Sequence, residues 1–343
     1  MLTEKALLIA EMSANHNGDF DRAVAIIHAM KEAGADAVKL QTYTADTLTI
    51  DCDGPDFIIG SGTIWEGQRL HELYGQAYTP WEWHADLFAL ANELGMACFS
   101  TPFDNSAVDF LEQFNPPAYK VASFELVDLG LIEYIASKGR PIIMSTGMGT
   151  REEIQDAVDI VKRAGVPLTL LKCTSAYPSP PGSMNLRTMN DLANSFDVAV
   201  GLSDHTLGTT VPIAAVALGA KVIEKHFTLS REDKGPDSSF SLEPAEFREM
   251  VDSIRIVEQA LGEVKYELSE KEKSSVVFRR SLYAVADIAA GEQLTAENVR
   301  SIRPGHGLKP KFLNQLLGKT AATAIPRGTP ISAEVVESFE IDE

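Results

Sequence analysis

The chain has 343 residues, a formal net charge of −19 and an apolar content of 45%. This length suits one large domain with a small partner, and the negative charge argues against nucleic acid or an anionic membrane surface as a partner. No apolar run reaches the roughly 18 residues of a membrane span, and the N-terminus carries no secretory cleavage pattern, so we expect a cytoplasmic protein. Cys52, Cys98 and Cys173 lack the spacing of a zinc or disulfide motif, which fits reduced thiols.

Short apolar runs alternate with longer amphipathic segments between residues 7 and 261. Eight short runs predict strands at Leu7–Met12, Ala37–Gln41, Ala97–Ser100, Tyr119–Ser123, Pro141–Ser145, Leu168–Cys173, Val198–Leu202 and Lys221–His226. The segments between them predict helices at Asp19–Ala33, Pro80–Leu94, Asn105–Phe114, Gly130–Lys138, Arg151–Ala164, Asn185–Ala193, Leu207–Gly219 and Pro244–Leu261. Eight strands that each precede a helix favour a (β/α)8 TIM barrel, and an open doubly wound sheet is the alternative.

Three other segments depart from this alternation. Residues 43–79 form a long insertion rich in glycine and aromatic residues, on the active-site face if the barrel is right. The charged segment 263–280 follows the predicted TIM-barrel catalytic domain, residues 1–262, and reads as a linker. Residues 281–343 alternate short strands with turns, which predicts a small, mostly β domain.

Polar side chains stand at the C-terminal ends of all eight predicted strands. Catalytic groups of a TIM barrel come from these ends, and side chains two residues apart on a strand share a face. Polarity at a single strand end would indicate only a capped strand or a loop, but eight together predict one convergent pocket. The candidate residues are Glu11, Lys39, Gln41, Thr101, Lys120, Ser123, Glu125, Ser145, Ser175, Tyr177, Ser203, His205, Glu224 and His226.

His205 and His226 end adjacent strands at matching heights, which makes them candidate metal ligands. Neutral imidazoles bind Mn, Fe, Co or Zn, and two of them would leave an open site that water and substrate oxygens complete. The alternative is a pair of buried, hydrogen-bonded histidines. His16 competes for the ligand role, whereas His28, His71, His84 and His306 are predicted to be helical or peripheral.

Lys39 and Lys120 are charged residues inside apolar strands, where an unpaired lysine is costly. A phosphate or carboxylate ligand would pair with them, and Thr101, Ser123 and Ser145 would donate further hydrogen bonds. Two alternatives stay open. One is a salt bridge to Glu11 or Glu125, and the other is a Schiff-base lysine of the kind that some barrel aldolases carry.

Several motifs together resemble the sialic acid synthase family. They are ANHNG (14–18), YKVAS (119–123), STGM (145–148), GLSDHT (201–206), EKHFT (224–228) and GPDSSFSL (235–242). The segment RSLYAVADIAAGEQLTAENVRSIRPGHGL (280–308) is similar to the antifreeze-like (SAF) domain that ends members of this family. The resemblance covers nearly the whole chain.

The resemblance implies a reaction between phosphoenolpyruvate (PEP) and the open-chain aldehyde of an N-acylated amino sugar. Such enzymes form a nonulosonic acid, release phosphate and use a divalent metal, with Mn expected and Mg or Co as alternatives. The resemblance implies metal binding by His205 and His226, and sugar contacts by Glu11, Tyr177, Glu224 and Asp237. It implies a domain-swapped homodimer in which Phe278 and Arg303 reach the partner's site. The implied PEP contacts are Lys39, Gln41, Thr101, Lys120, Ser123, Ser145 and Ser203.

Within the family, the insertion segment WEGQRLHELYGQAYTPWEWH (65–84) resembles the branch that makes pseudaminic acid. Ser175 in CTSAYP (173–178) replaces the asparagine of N-acetylneuraminate synthases at a position that faces the sugar. The resemblance to this branch implies a 2,4-diacetamido-2,4,6-trideoxyhexose as acceptor, with N-acetylneuraminate or legionaminate synthesis as the alternative. Other possibilities are a metal-dependent barrel aldolase, a PEP-using keto-acid phosphate synthase, or an ice- or carbohydrate-binding protein. Among the carboxylates, Glu11, Glu125 and Glu224 are all candidate acid–base groups.

Overall fold

Eight parallel strands form a nearly closed barrel in the first part of the chain. They are β1 (Leu7–Glu11), β2 (Ala37–Thr42), β3 (Ala97–Pro102), β4 (Tyr119–Val121), β5 (Ile142–Ser145), β6 (Leu168–Cys173), β7 (Ala199–Asp204) and β8 (Val222–His226). Hydrogen-bonded ladders join the neighbours in chain order and join β8 to β1, while β3 and β4 share no ladder within residues 5–340, the range that the computed structural model describes. The predicted TIM barrel is confirmed, because each strand neighbours the next one in the chain.

Helices follow the strands and cover the barrel. They are α1 (Phe20–Glu32), α2 (Ala45–Leu48), α3 (Leu70–Ala77), α4 (His84–Glu93), α5 (Asn105–Glu112), α6 (Leu129–Ala136), α7 (Arg151–Ala164), α8 (Thr188–Phe196), α9 (Thr210–Ala217) and α10 (Pro244–Leu261). The predicted bounds of α7 are confirmed, because Thr150 and Glu153 form a capping box at its start and Gly165 ends it with a φ of 70°.

Several predicted bounds were wrong at positions where the backbone leaves the helical or extended region. Strand β4 ends at Val121, and a 3-10 helix at Ser123–Val127 follows it. Helix α8 begins three residues late because Asn185 has a φ of 46°, which a right-handed helix excludes. Helix α9 likewise begins only after Gly208, whose φ is 77°.

Two layers of inward side chains fill the barrel. The lower layer is apolar and consists of Ile9, Ala37, Phe99, Ile143, Leu171 and Val222. Two residues further along the same strands, inward positions hold polar or ionisable side chains: Glu11, Lys39, Thr101, Ser145, Cys173 and Glu224. The strand period of two therefore places these groups above a closed apolar floor, at the C-terminal mouth of the barrel.

The insertion at residues 43–79 is partly ordered. Helices α2 and α3 lie near its two ends, and a short hairpin stands between them. In that hairpin, Ile59 N–H donates to Gln68 O and Gly67 N–H donates to Ile59 O, both at 2.8 Å. We call residues 59–68 the strap. Gly67 has a φ of 81°, a conformation that favours glycine at this turn.

The described residues from Glu263 onwards form a second compact unit. An antiparallel pair, β9 (Ser281–Ala284) and β10 (Val299–Ile302), and isolated bridges surround a small apolar core that includes Leu282, Leu294 and Phe312. Short helices α11 (Glu270–Ser275) and α12 (Leu313–Leu316) also belong to this unit, and α11 lies inside the segment predicted as a linker. Across residues 5–340, no helix has both the length and the apolarity to cross a membrane.

A buried ion pair on the outer face of the barrel ties β7 to β8. Lys225 Nζ lies 2.5 Å from Asp204 Oδ2, and both side chains are fully buried. Lys225 also donates to the Thr206 carbonyl, and Thr206 N–H and Oγ1–H donate to Asp204. His205 and His226 each follow one member of this pair in sequence, so the pair holds the two strand ends that carry the histidines.

Replacing Lys225 with methionine should lower the free energy of unfolding by about 3–5 kcal/mol, because Asp204 would remain as an uncompensated buried charge. Urea unfolding at neutral pH measures this loss. The double variant Asp204→Leu/Lys225→Met should recover most of it, since apolar side chains of similar volume can replace a buried pair. A single variant as stable as the parent would contradict this role for the pair.

Candidate active site

Lys39 lies at the centre of a buried charge cluster in the barrel mouth. Its Nζ is 2.8 Å from Glu11 Oε2 and 3.0 Å from Glu224 Oε2, and all three residues are at most 5% exposed. Burial lowers the pKa of Lys39. The predicted alternative of a salt bridge to Glu11 therefore holds for Lys39, with Glu224 as a second partner that was not expected.

Lys120 approaches the same cluster from β4. Its Nζ donates to Ser145 Oγ at 2.7 Å and to the Val121 carbonyl at 2.8 Å, and lies 4.0 Å from Glu224 Oε1. Ser203 Oγ donates to Glu224 Oε1 at 2.9 Å. Burial alone would raise the pKa of Glu224, but the positive charges of Lys120 and Lys39 hold it below its usual value. The cluster is thus two cations and two anions in a region shielded from water.

Ser13 connects three of the predicted residues. Gln41 Nε2 donates to Ser13 Oγ at 2.9 Å and to Glu11 Oε1 at 3.2 Å, and Ser13 Oγ donates to Asp237 Oδ2 at 2.5 Å. Burial raises the pKa of Asp237. This network brings Glu11, Gln41 and Asp237 together. Ser13 itself was not predicted as a site residue, although it lies in the polar end of the first strand.

Ser123 and Ser175 face each other across Gly147. Gly147 N–H donates to Ser123 Oγ at 3.0 Å. A Cβ at residue 147 would lie 2.3 Å from Ser175 Oγ and 2.7 Å from Ser123 Oγ, so only glycine fits between the two hydroxyls. Thr101 Oγ1 is also buried at the mouth and has no hydrogen-bond partner among the described residues. These hydroxyls and the Gly147 backbone form a polar wall that suits an anionic or hydroxylated ligand.

His205 and His226 lie side by side, with ring centroids 5.4 Å apart. The His205 Nδ1 atom is 3.1 Å from the Thr174 carbonyl, so Nδ1–H donates there and Nε2 keeps its lone pair for a metal. His226 Nδ1 is buried without a hydrogen-bond partner in the part of the chain described. Burial lowers the pKa of His226 well below its usual value, which keeps the ring neutral and its lone pair available. The pair therefore fits a divalent metal.

No group of three or more His, Cys, Asp or Glu side chains is placed to hold a metal ion within residues 5–340. The competing candidate His16 is engaged elsewhere. Its Nδ1 accepts from Gly18 N–H at 3.0 Å, and its ring meets Trp83 edge-on. His84 was predicted to be helical or peripheral; it begins α4, but it is fully buried and its Nε2 lies 2.8 Å from Thr42 Oγ1.

Comparison with known proteins places this barrel in a family. The NeuB family model matches residues 26–266, and the SAF domain model matches residues 279–337. The chain belongs to the NeuB family. The predicted resemblance to sialic acid synthases and the predicted SAF tail are thereby confirmed.

Individual relatives of this NeuB chain extend over almost its full length. A pseudaminic acid synthase of Campylobacter jejuni is 49% identical over 326 residues, 95% of each chain. A pseudaminic acid synthase of Helicobacter pylori is 46% identical over 332 residues, 96% of this chain and 97% of the relative. The crystal structure of a putative spore coat polysaccharide biosynthesis protein E from Chromobacterium violaceum superposes with a TM-score of 0.74 at 30% identity, covering 97% of this chain and 100% of that one. The predicted likeness to pseudaminic acid synthases is confirmed.

Aromatic rings line one side of the NeuB barrel mouth. Tyr177 lies 4.3 Å from His205 and 5.1 Å from Phe240 between ring centroids, and Phe240 lies 5.0 Å from His226. Tyr177 was predicted as a site residue but Phe240 was not, although Phe240 lies in the motif GPDSSFSL (235–242). Only the fold brings it beside the two histidines.

Glu125 differs from the other two candidate carboxylates of the NeuB barrel. No ion pair joins Glu125 to a cation among the described residues, whereas Glu11 and Glu224 are both paired with Lys39. Burial raises its pKa to about 7, although the nearby charge of Lys120 opposes the shift. Glu125 is thus the candidate carboxylate that can change its protonation state near neutral pH.

Phe278 and Arg303, the two other predicted site residues, belong to the second unit, where Phe278 is 63% exposed.

Proposed function

We propose that this protein condenses PEP with the open-chain aldehyde of a 2,4-diacetamido-2,4,6-trideoxyhexose, which yields pseudaminic acid and phosphate. The observation that carries the proposal is the 49% identity to a pseudaminic acid synthase over nearly the whole chain. In this reaction the methylene carbon of PEP bonds to the aldehyde carbon. Water then adds at C2, and the bond between C2 and the phosphate oxygen breaks.

The buried lysines support a PEP subsite in the barrel mouth. Lys39 and Lys120 lie in a region where water is excluded, so their charges act strongly on a carboxylate or phosphate. We assign PEP binding to them with Gln41 and to the hydroxyls of Thr101, Ser123, Ser145 and Ser203. Such local cations are needed because the chain as a whole is strongly acidic. We propose that the protein is a domain-swapped homodimer in which Phe278 and Arg303 reach the partner's site. Arg303 would add a further cation there.

The positions of His205 and His226 support a binding site for the sugar aldehyde beside them. A divalent metal bound by His205 and His226 would supply Lewis-acid polarisation of the sugar aldehyde. We propose Mn, with Mg and Co as alternatives, and water and substrate oxygens as the remaining ligands. We propose that the sugar is bound by Glu11, Ser175, Tyr177, Glu224 and Asp237. We further propose that the enzyme works in the cytoplasm and that residues 263–280 link its two domains.

Among the three carboxylates, we assign the proton transfer to Glu125. Glu11 and Glu224 are ion-paired with Lys39 and hold that cation in place, and the charges of Lys120 and Lys39 keep the pKa of Glu224 low. Glu125 has a pKa near the working pH, which general acid–base catalysis favours. Its carboxylate is proposed to accept a proton from the water that adds at C2.

This assignment predicts the pH dependence of turnover. Because the reactive form of Glu125 is the carboxylate, kcat/KM should rise as the pH passes through about 7. Replacing Glu125 with glutamine should reduce kcat by roughly a hundredfold and remove this rise. Steady-state kinetics between pH 5.5 and 8.5, at about half-unit steps, measure both effects. A Glu125→Gln enzyme that keeps the same rise would contradict the assignment.

A panel of acceptor sugars tests the proposed function. Phosphate release from PEP should be fastest with the 2,4-diacetamido-2,4,6-trideoxyhexose that leads to pseudaminic acid. The precursors of legionaminic acid and N-acetylneuraminic acid should react more slowly. Faster release with either of these would move the assignment to that acceptor, and no release with any of them would overturn the PEP condensation.

A further inference from the structure

The strap crosses the barrel mouth and is fixed there by one side chain. Trp65 lies at its turn, inside the loop that is closed by the hydrogen bonds joining Ile59 to Gly67 and Gln68. The Trp65 indole N–H donates to the Pro236 carbonyl at 3.1 Å. Pro236 belongs to the segment after β8 that also carries Asp237 and Phe240. The strap therefore extends from the β2 side of the mouth to the β8 side.

Trp65 also extends the aromatic lining of the mouth. Its ring centroid lies 5.6 Å from that of Tyr177, which in turn lies 4.3 Å from His205. Trp65, Tyr177 and Phe240 thus form a continuous row of rings that begins at the two histidines and ends at the strap. We call these three residues the aromatic wall. The Tyr177 hydroxyl is the one polar group on these side chains apart from the Trp65 N–H, so ring carbons make up most of the wall.

We propose that Trp65 is a specificity-determining residue that selects acceptor sugars carrying methyl groups in place of hydroxyls. This inference rests on the proposed function and adds the part of the sugar that the strap recognises. An aldehyde held at the histidines would leave the rest of an extended sugar chain to run along the wall towards Trp65. At the Trp65 end the wall offers a ring face and no free hydrogen-bond donor, because the Trp65 N–H is already bonded to Pro236, whereas the Tyr177 hydroxyl lies nearer the histidines.

The aromatic wall discriminates between acceptor sugars by the groups that they place against its rings. A deoxy carbon or an acetamido methyl group gains free energy when rings cover it. A hydroxyl that faces the Trp65 ring loses its hydrogen bonds to water and finds no partner there, because the Trp65 N–H is bonded to Pro236. Differences of one small group in an apolar pocket change kcat/KM by roughly 10- to 200-fold. The wall therefore favours a diacetamido trideoxy sugar over a monoacetamido sugar with a terminal hydroxymethyl group.

Steady-state kinetics with two acceptors test this role. The acceptors are the 2,4-diacetamido-2,4,6-trideoxyhexose and a 2-acetamido-2-deoxyhexose, each with PEP. Replacing Trp65 with alanine should raise KM for the first sugar at least tenfold, and its preference over the second should fall by about the same factor. KM for PEP should change less than about twofold, because the wall does not contact the lysine cluster. Trp65→Phe keeps a ring without the N–H and should keep most of the preference.

Ile64 provides the matched control, because it neighbours Trp65 on the strap and is 47% exposed. Ile64→Ala should leave both KM values and the preference unchanged. Equal loss with both sugars in Trp65→Ala would mean that the strap only closes the mouth, and this would overturn the inference. So would an unchanged preference. If the parent enzyme releases no phosphate with the diacetamido sugar, the proposed function itself fails, which is a separate result.

Discussion

Alanine at His226 is expected to reduce turnover by roughly a thousandfold or more and to abolish tight binding of Mn²⁺. The neutral His226 ring carries a buried nitrogen that no group in the described part of the chain satisfies, beside a His205 ring whose Nδ1–H is already directed to Thr174. Lewis-acid stabilisation is worth several kcal/mol, which accounts for the size of the effect. Equilibrium dialysis with Mn²⁺ measures binding independently of activity, and the parent protein should bind one ion per chain.

His16 supplies the control for this prediction. It is another buried histidine near the mouth, but its nitrogens are used by Gly18 and Thr79. His16→Asn should therefore bind Mn²⁺ as the parent does, even if it unfolds more readily. Full Mn²⁺ binding by a folded His226→Ala protein, or its loss in His16→Asn, would remove the metal assignment from the strand-end pair.

Methionine at Lys120 is expected to raise KM for PEP about a hundredfold while KM for the sugar changes only two- to threefold. Losing a charged hydrogen bond costs about 1.5–3 kcal/mol, and the Lys120 charge lies in a region where water cannot replace it. Lys39 and its two carboxylate partners remain, so Lys120→Met is a cleaner change than Lys39→Met, which would strand two buried anions.

Lys172 offers a control, since it is another lysine on a barrel strand, although it is partly rather than fully buried. Its Nζ donates to the Cys173 carbonyl at 2.6 Å and to Thr174 Oγ1 at 3.2 Å, away from the lysine cluster. Lys172→Met should leave KM for PEP within about twofold. If Lys120→Met left KM for PEP unchanged and raised KM for the sugar, Lys120 would bind the sugar instead of PEP, which would contradict the assignment.

The barrel was predictable because its signals are local. An apolar residue such as Ile9 and a polar one such as Glu11 stand two apart on the same strand, and the same step recurs on β2, β5 and β8. This period alone indicates which side chains meet above the apolar floor. Capping residues fixed α7 in the same way, since Thr150, Glu153 and Gly165 act within a few residues of the helix ends.

The features of the site that could not be predicted depend on contacts between distant parts of the chain. Ser13 meets Asp237, and Trp65 meets Tyr177, across sequence separations that no local pattern encodes. The raised pKa of Glu125 follows from burial and from the lack of a cation partner in the described residues, neither of which is visible in the motif that contains it. The burial of His84 could not be predicted for the same reason, because His84 begins α4 and its partner Thr42 ends β2.

Oxygen-18 tracing tests the central claim most directly, because PEP condensation of this type requires cleavage of the bond between C2 and oxygen. PEP labelled at its bridging oxygen is incubated with the diacetamido sugar and the metal-loaded enzyme, and both products are analysed by mass spectrometry. The account predicts that the label leaves with inorganic phosphate, while the C2 oxygen of the new sugar acid comes from water. Label retained in the sugar acid would contradict it.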